Sequence, residues 1–190
     1  MKEQHSIDNY SRSLLYSQEI EKAIANQLGL PELKSGGVTI RNEKGWRENE
    51  KVIDYVWIVQ VSRSFVGFGG VFAIKFKQNE FRDYSNKEEL IHGIFDLSEK
   101  GLDHFYTESM TGTFDEKTNL FRLNLLAANE GITLDGVSYQ IRIIAWNIDS
   151  FIRVSNPKTD DWKKWEAEIW EMGKQLAKKS GYQELITLFE

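Results

Sequence analysis

The sequence contains no cysteine and only two prolines, Pro31 and Pro157, in 190 residues. Without cysteine there are no disulfides, no Cys-type zinc sites, no Fe–S clusters and no thiol nucleophile. No run of apolar residues approaches the ~18 needed to cross a membrane. The opening MKEQHSIDNYSRS also lacks the apolar stretch of a secretory signal. A cytoplasmic location with no membrane contact is therefore expected. Positive charge is in deficit: 24 Lys and Arg face 29 Asp and Glu, for a net charge of −5. Such a balance disfavours nucleic acid as a partner, because a dedicated binder needs a basic face to displace counterions. Neither a Gly-x-Ser-x-Gly elbow nor a His-Glu-x-x-His pair occurs.

What the chain has in quantity is aromatic residues, with 6 Trp, 7 Tyr and 11 Phe. Its apolar content is that of a folded protein, and its length fits a single domain over residues 1–190. Apolar spacing from Ser6 to Leu28 predicts a helix stopped by Gly29-Leu30-Pro31. A short strand follows over Val38–Arg41. Val52–Ser62 is almost continuously β-branched and aromatic, the mark of a central strand covered on both faces. Phe65–Lys77 reads as a second long strand, with Gly67, Gly69 and Gly70 marking a hairpin or bulge.

A central helix is expected over Asn86 to about Lys100. Ser85 and Glu88 form a capping-box pattern, and Leu90, Ile91, Ile94 and Leu97 supply a stripe. Hairpin signals then pair Thr111–Phe114 with Leu120–Leu126, and Gly131–Leu134 with Val137–Ile148 around Asp135-Gly136. Asn156-Pro157 opens a long helix to about Ser180, with Asp160 and Asp161 at its start and Lys178 and Lys179 at its end. The apolar tail YQELITLFE is expected to dock. Hairpins dominate and βαβ alternation is missing. The fold class is thus α+β, an antiparallel meander sheet flanked by N-terminal, central and long C-terminal helices.

Three constellations carry possible chemistry. If residues 86–100 are helical, His92 has Asp96 one turn on, and Asp103-His104 is followed by Glu108. Such pairs can face one ion, but a histidine with a local ion-pair partner is the ordinary reading, and no metal or cofactor is assigned. Glu32-Leu33-Lys34 resembles the acid-x-Lys element of PD-(D/E)xK metal-dependent nucleases. The resemblance implies a cation held by Glu32, a water positioned by Lys34, and an upstream helical acid such as Glu19 or Glu21. It covers only these few residues, and the family's strand Asp has no counterpart between Lys22 and Pro31. The string Phe-Val-Gly-Phe-Gly-Gly at 65–70 opens no helix and so fails as a phosphate loop.

The aromatics give the leading reading. Trp57 and Trp146 fall in predicted strands and are assigned to the core. On the last helix Trp162, Trp165, Ile169, Met172 and Leu176 form one stripe, while Trp170 joins Gly173 and Ala177 on a second strip. Trp46, beside Arg47 in a charged loop, has no evident core duty. Trp46, Arg47 and Trp170 are accordingly the candidate binding residues. The expected function is a non-enzymatic protein-binding module, resembling an inhibitor or immunity protein in manner, whose acidic balance suits a basic protein partner. Behind it stand a metal-dependent nuclease or hydrolase built on Glu32-Leu33-Lys34, and a small-ligand binder within a curved antiparallel sheet.

Overall fold

A computed structural model describes residues 9–41, 47–80, 83–98, 101–110 and 136–190. In chain order these form α1 (Asn9–Gln27), β1 (Gly36–Arg41), β2 (Arg47–Arg63), β3 (Gly67–Glu80), β4 (Asp83–Ser98) and β5 (Gly101–Met110). β6 (Val137–Ala145), β7 (Ile148–Ser155), α2 (Asp160–Ser180) and α3 (Gln183–Phe189) follow. Among the described residues all strand pairs are antiparallel, in the order β5-β4-β3-β2-β6-β7, with β1 also on β2. The α+β meander expected from sequence is present. The predicted strands Thr111–Phe114, Leu120–Leu126 and Gly131–Leu134 lie outside the described residues.

β2 organises the sheet. One edge runs along β3 for nearly its whole length, from Asn49↔Glu80 to Arg63↔Gly67. The other edge is divided: β1 takes Arg47 to Ile53, and β6 takes Tyr55 to Arg63. At the division Asp54 is an extra residue in the ladder with β3. Such a bulge shifts the alternation of side chains by one. Ile53, Val56 and Ile58 consequently share one buried cluster, and Trp57, Val59 and Val61 share the other.

Each face has its own cover. α1 places Ile20, Ile24 and Ala25 against Ile58, Phe72, Ile74 and Ile144. A Schellman motif closes this helix, with Leu30 N–H donating to Ala25 C=O at 2.8 Å and Gly29 N–H to Asn26 C=O at 3.1 Å. Gly29 takes the required positive φ of 65°. On the opposite face α2 buries Trp162, Trp165, Ile169, Met172 and Leu176 against Val59, Val71, Ala73 and Ile141. The long C-terminal helix ends as expected, with Gly181 left-handed at φ 75°. The apolar tail is docked as α3, through Leu185, Leu188 and Phe189.

The expected central helix is not formed. Its described residues, 86–98, lie in β4, paired to β3 from Phe68↔Leu97 and to β5 from Ser98↔Gly101. The local capping signal is overridden because this segment is covered on both faces. Leu90, His92 and Ile94 are buried, with Leu90 and Ile94 in the α2 cluster, while Phe95 belongs to the α1 cluster with Ile91 and Leu97 packed on it. A strand buried on both sides loses its polar alternation, and its apolar residues then also fit a helical stripe. Gly93 was the contrary signal. A Cβ there would overlap the Phe72 ring, so the position requires glycine for packing. Trp146 also departs from expectation. It sits at the β6–β7 turn and is 76% exposed, whereas Trp57 is in the core.

Gly173 explains the small-residue strip on α2, because a Cβ there would overlap the Phe189 ring. Gly→Ala within a helix ordinarily gains about 1 kcal/mol of propensity. Here overpacking opposes it by about 1–3 kcal/mol. Gly173→Ala is therefore expected to lower the unfolding free energy in urea titration, against the usual sign.

Candidate functional site

Three exposed apolar side chains, Phe65, Val66 and Phe68, and two cavities gather at one end of the sheet. The turn from β2 to β3, Ser64–Val66, is closed by Val66 N–H donating to Arg63 C=O at 3.1 Å. Its middle residue, Phe65, has φ 62°, a conformation ordinarily left to glycine. Yet Phe65 is 97% exposed, with Val66 and Phe68 exposed beside it. A bulky ring held left-handed in solvent costs backbone energy with no return from burial.

Arg63 anchors the finger from behind. It donates to the Leu188 carbonyl at 3.3 Å and lies 5.7 Å over the Trp170 ring. Trp170 is half-buried: its Nε1–H donates to Tyr139 Oη at 2.9 Å, and its ring meets Phe189 edge-on at 5.3 Å. Tyr139 in turn donates to Glu166. Burial, then the Glu166 carboxylate, hold the Tyr139 phenol well above its ordinary pKa, so it stays a neutral donor.

Cavities flank Phe68 on both sides. One of about 280 Å³ opens on the α1 face, lined by Tyr16, Gln60, Phe68, Gly69, Gln140 and Arg153 among others. Leu97 of β4 and Arg153 of β7 both border it. A flat sheet would hold those strands about 19 Å apart, so the sheet curls toward α1. Gln60 is buried and donates to Ser17 Oγ at 3.2 Å, while the buried Gln140 Oε1 has no hydrogen-bond partner. The second cavity, about 430 Å³, lies on the α3 side between Val66, Phe68, Asp96, Glu184 and Thr187.

Bordering it is a group of ionisable side chains. Between Phe95↔Phe105 and Leu97↔Leu102 the strands lose register, and Asp96 alone faces Asp103 and His104. Asp96 Oδ1 accepts the His104 backbone N–H at 2.7 Å, and Oδ2 meets His104 Nδ1 at 2.9 Å. His104 Nε2 looks toward Glu184 Oε2 at 3.8 Å, and the ring lies 4.6 Å from that of Tyr182. The hydrogen bond to Asp96, opposed by desolvation and aided by the carboxylate charges, raises the His104 pKa above its ordinary value.

The pairings drawn from a helical reading do not survive. Four residues along a strand span about 13 Å, so neither His92 with Asp96 nor His104 with Glu108 shares a site. His92 is buried in β4, and Glu108 binds Lys179 at 2.7 Å. Glu32 and Lys34 pair with each other at the surface, and Glu21 binds Arg142 at 2.8 Å. Among the described residues Glu32 belongs to no carboxylate group able to hold an ion. Trp46 lies outside the described residues, and Arg47 opens β2 opposite Arg41.

Sequence reading passed over Phe65, Phe68 and Glu184. Their signals were a phenylalanine in a Ser-Phe-Val-Gly turn and an acid in the docked tail. Among the described residues no helix is long and apolar enough to cross a membrane. No protein-family model, curated protein or solved structure matches the chain.

Trp170→Ala is expected to lower stability by about 2–4 kcal/mol, through the lost contact with Phe189. Trp170→Phe keeps the ring contact and loses one hydrogen bond, at about 1 kcal/mol. Denaturant midpoints of the two variants measure the difference.

Proposed function

We propose that the protein is a non-catalytic binding module, acting in the manner of an inhibitor or immunity protein, whose contact surface is the turn end of the sheet. Phe65 is the anchor. It enters an apolar cleft on a protein partner, and Val66 and Phe68 widen the contact. The observation that carries this reading is the left-handed, 97% exposed Phe65, a conformation that folding alone gives no reason to keep. Asp96, Asp103 and Glu184 lie on one flank of the finger. A cleft rimmed by basic side chains complements that flank and fits the chain's net charge of −5. Trp170 supports the finger through Arg63 instead of meeting the partner itself.

Phe65→Gly separates binding from folding. Glycine accepts the positive φ without strain but adds freedom to the unfolded chain. Stability should hold or rise by up to about 1 kcal/mol, because no buried surface is lost. Affinity for a stoichiometric partner, isolated with the tagged wild-type chain, should fall tenfold or more. A partner bound equally well by Phe65→Gly removes this surface from the function.

A specific observation favours a second reading, a small polar ligand in the cavity on the α1 face. The Gln140 side chain borders that space, and its buried Oε1 has no hydrogen-bond partner. A hydrogen-bond donor on a ligand would satisfy it. If this acceptor serves a ligand and not the fold, Gln140→Leu should raise the thermal midpoint of the ligand-free protein, since an unsatisfied group is removed.

A further inference from the structure

We propose that His104 and Glu184, with the Asp103 carboxylate beside the imidazole, bind a divalent transition-metal ion of zinc type, and that Asp96 is the residue that positions the ring. The Asp96 carboxylate only accepts hydrogen bonds, so the 2.9 Å contact with Oδ2 makes His104 Nδ1 the donor. In the neutral ring, Nε2 then carries the lone pair. It faces a carboxylate oxygen, Glu184 Oε2, at 3.8 Å. Two acceptors aimed at one another are satisfied by a proton on Nε2 or by a metal cation between them.

The spacing suits a metal. Ligands about 2.0–2.1 Å from a tetrahedral zinc lie about 3.3 Å apart. Closing the remaining distance needs only a rotation of Glu184, whose side chain is 61% exposed. Ligand atoms of Asp103, Asp96 and His104 all lie within 4.8 Å of one another. Among the described residues no Lys or Arg pairs with Asp96, Asp103 or Glu184. The strand irregularity opposite Asp96 brings Asp103 and His104, adjacent in sequence, to the same place. An imidazole among carboxylates selects a borderline metal over Mg²⁺ or Ca²⁺, which prefer oxygen alone. A carboxylate on the far ring nitrogen is the usual outer partner of a zinc-bound histidine.

The site joins β5 to α3, so occupancy should order the C-terminal helix. The test needs no partner protein: calorimetric titration of the full chain with Zn²⁺ alone. One equivalent is expected to bind, with no comparable binding of Mg²⁺. His104→Gln and Glu184→Gln should each weaken binding tenfold or more, and Asp96→Asn about ten- to a hundredfold. Zn²⁺ should also slow amide exchange across Gln183–Phe189 in the wild type but not in Glu184→Gln. Should His104→Gln fail to fold, the surface variant Glu184→Gln decides alone. Equal Zn²⁺ binding by wild type and Glu184→Gln, or Zn²⁺ binding no tighter than Mg²⁺, overturns the proposal and leaves an imidazolium–carboxylate contact only.

Discussion

Seventeen residues of β2 must be covered on two faces and two edges, and the rest of the molecule answers that demand. A strand of this length spans about 55 Å. β3 alone follows it along one edge, while β1 and β6 share the other end to end. The bulge at Asp54 lies where those neighbours change. Both faces of β2 carry large apolar side chains, so one helix cannot suffice. α1 takes one face, and α2 with α3 takes the other. The ion pair from Arg142 to Glu21 and the contact from Gln60 to Ser17 fix α1 in register with the sheet. Breaking either leaves a polar group in a poorly solvated place, which costs more than the bond contributes.

Long paired strands put their turns far from the core centre, and this gives the turn end its character. At the β2–β3 turn Phe65 is 97% exposed, and among the described residues it finds nothing to pack on. Its base is held differently. Arg63, Trp170 and Leu188 join β2, α2 and α3 behind it. A rigid base with an exposed apolar tip is what a preorganised anchor requires, since little side-chain or loop entropy remains to be lost on contact.

The fold was legible wherever local chemistry and tertiary demand agreed. β2 announced itself through VIDYVWIVQVS, and α2 through its acidic start, basic end and Gly181. α1 ended at Gly29 as the Gly-Leu-Pro sequence required. They disagreed at β4. Ser85 and Glu88 fit a helix start, and only Gly93 argued against one. A capping box contributes little beside the burial of Leu90, Ile94 and Phe95 on two faces. The error at β4 also hid the ionisable group, because helical spacing paired His92 with Asp96 and missed Asp96 beside His104. That contact comes from a local loss of register between neighbouring strands, and spacing along one strand cannot reveal it. Trp146 misled for a simpler reason: the strand expected over Val137–Ile148 contains a turn, and the ring sits on it.

α3 is where these threads meet. Seven residues are too few for a stable helix in water, so α3 persists through what it touches. Phe189 occupies the space left by Gly173, Leu185 and Leu188 are buried, and Leu188 C=O receives Arg63. The strip of small residues on α2, which from sequence fits a partner's close approach, is filled by the chain's own C-terminal helix. That docking carries Glu184 to His104 and completes the wall beside Phe68. Whatever loosens α3 therefore alters the finger's support, the ionisable group and the neighbouring cavity together. Whatever tightens it, a cation between His104 and Glu184 included, firms the surface from which Phe65 projects.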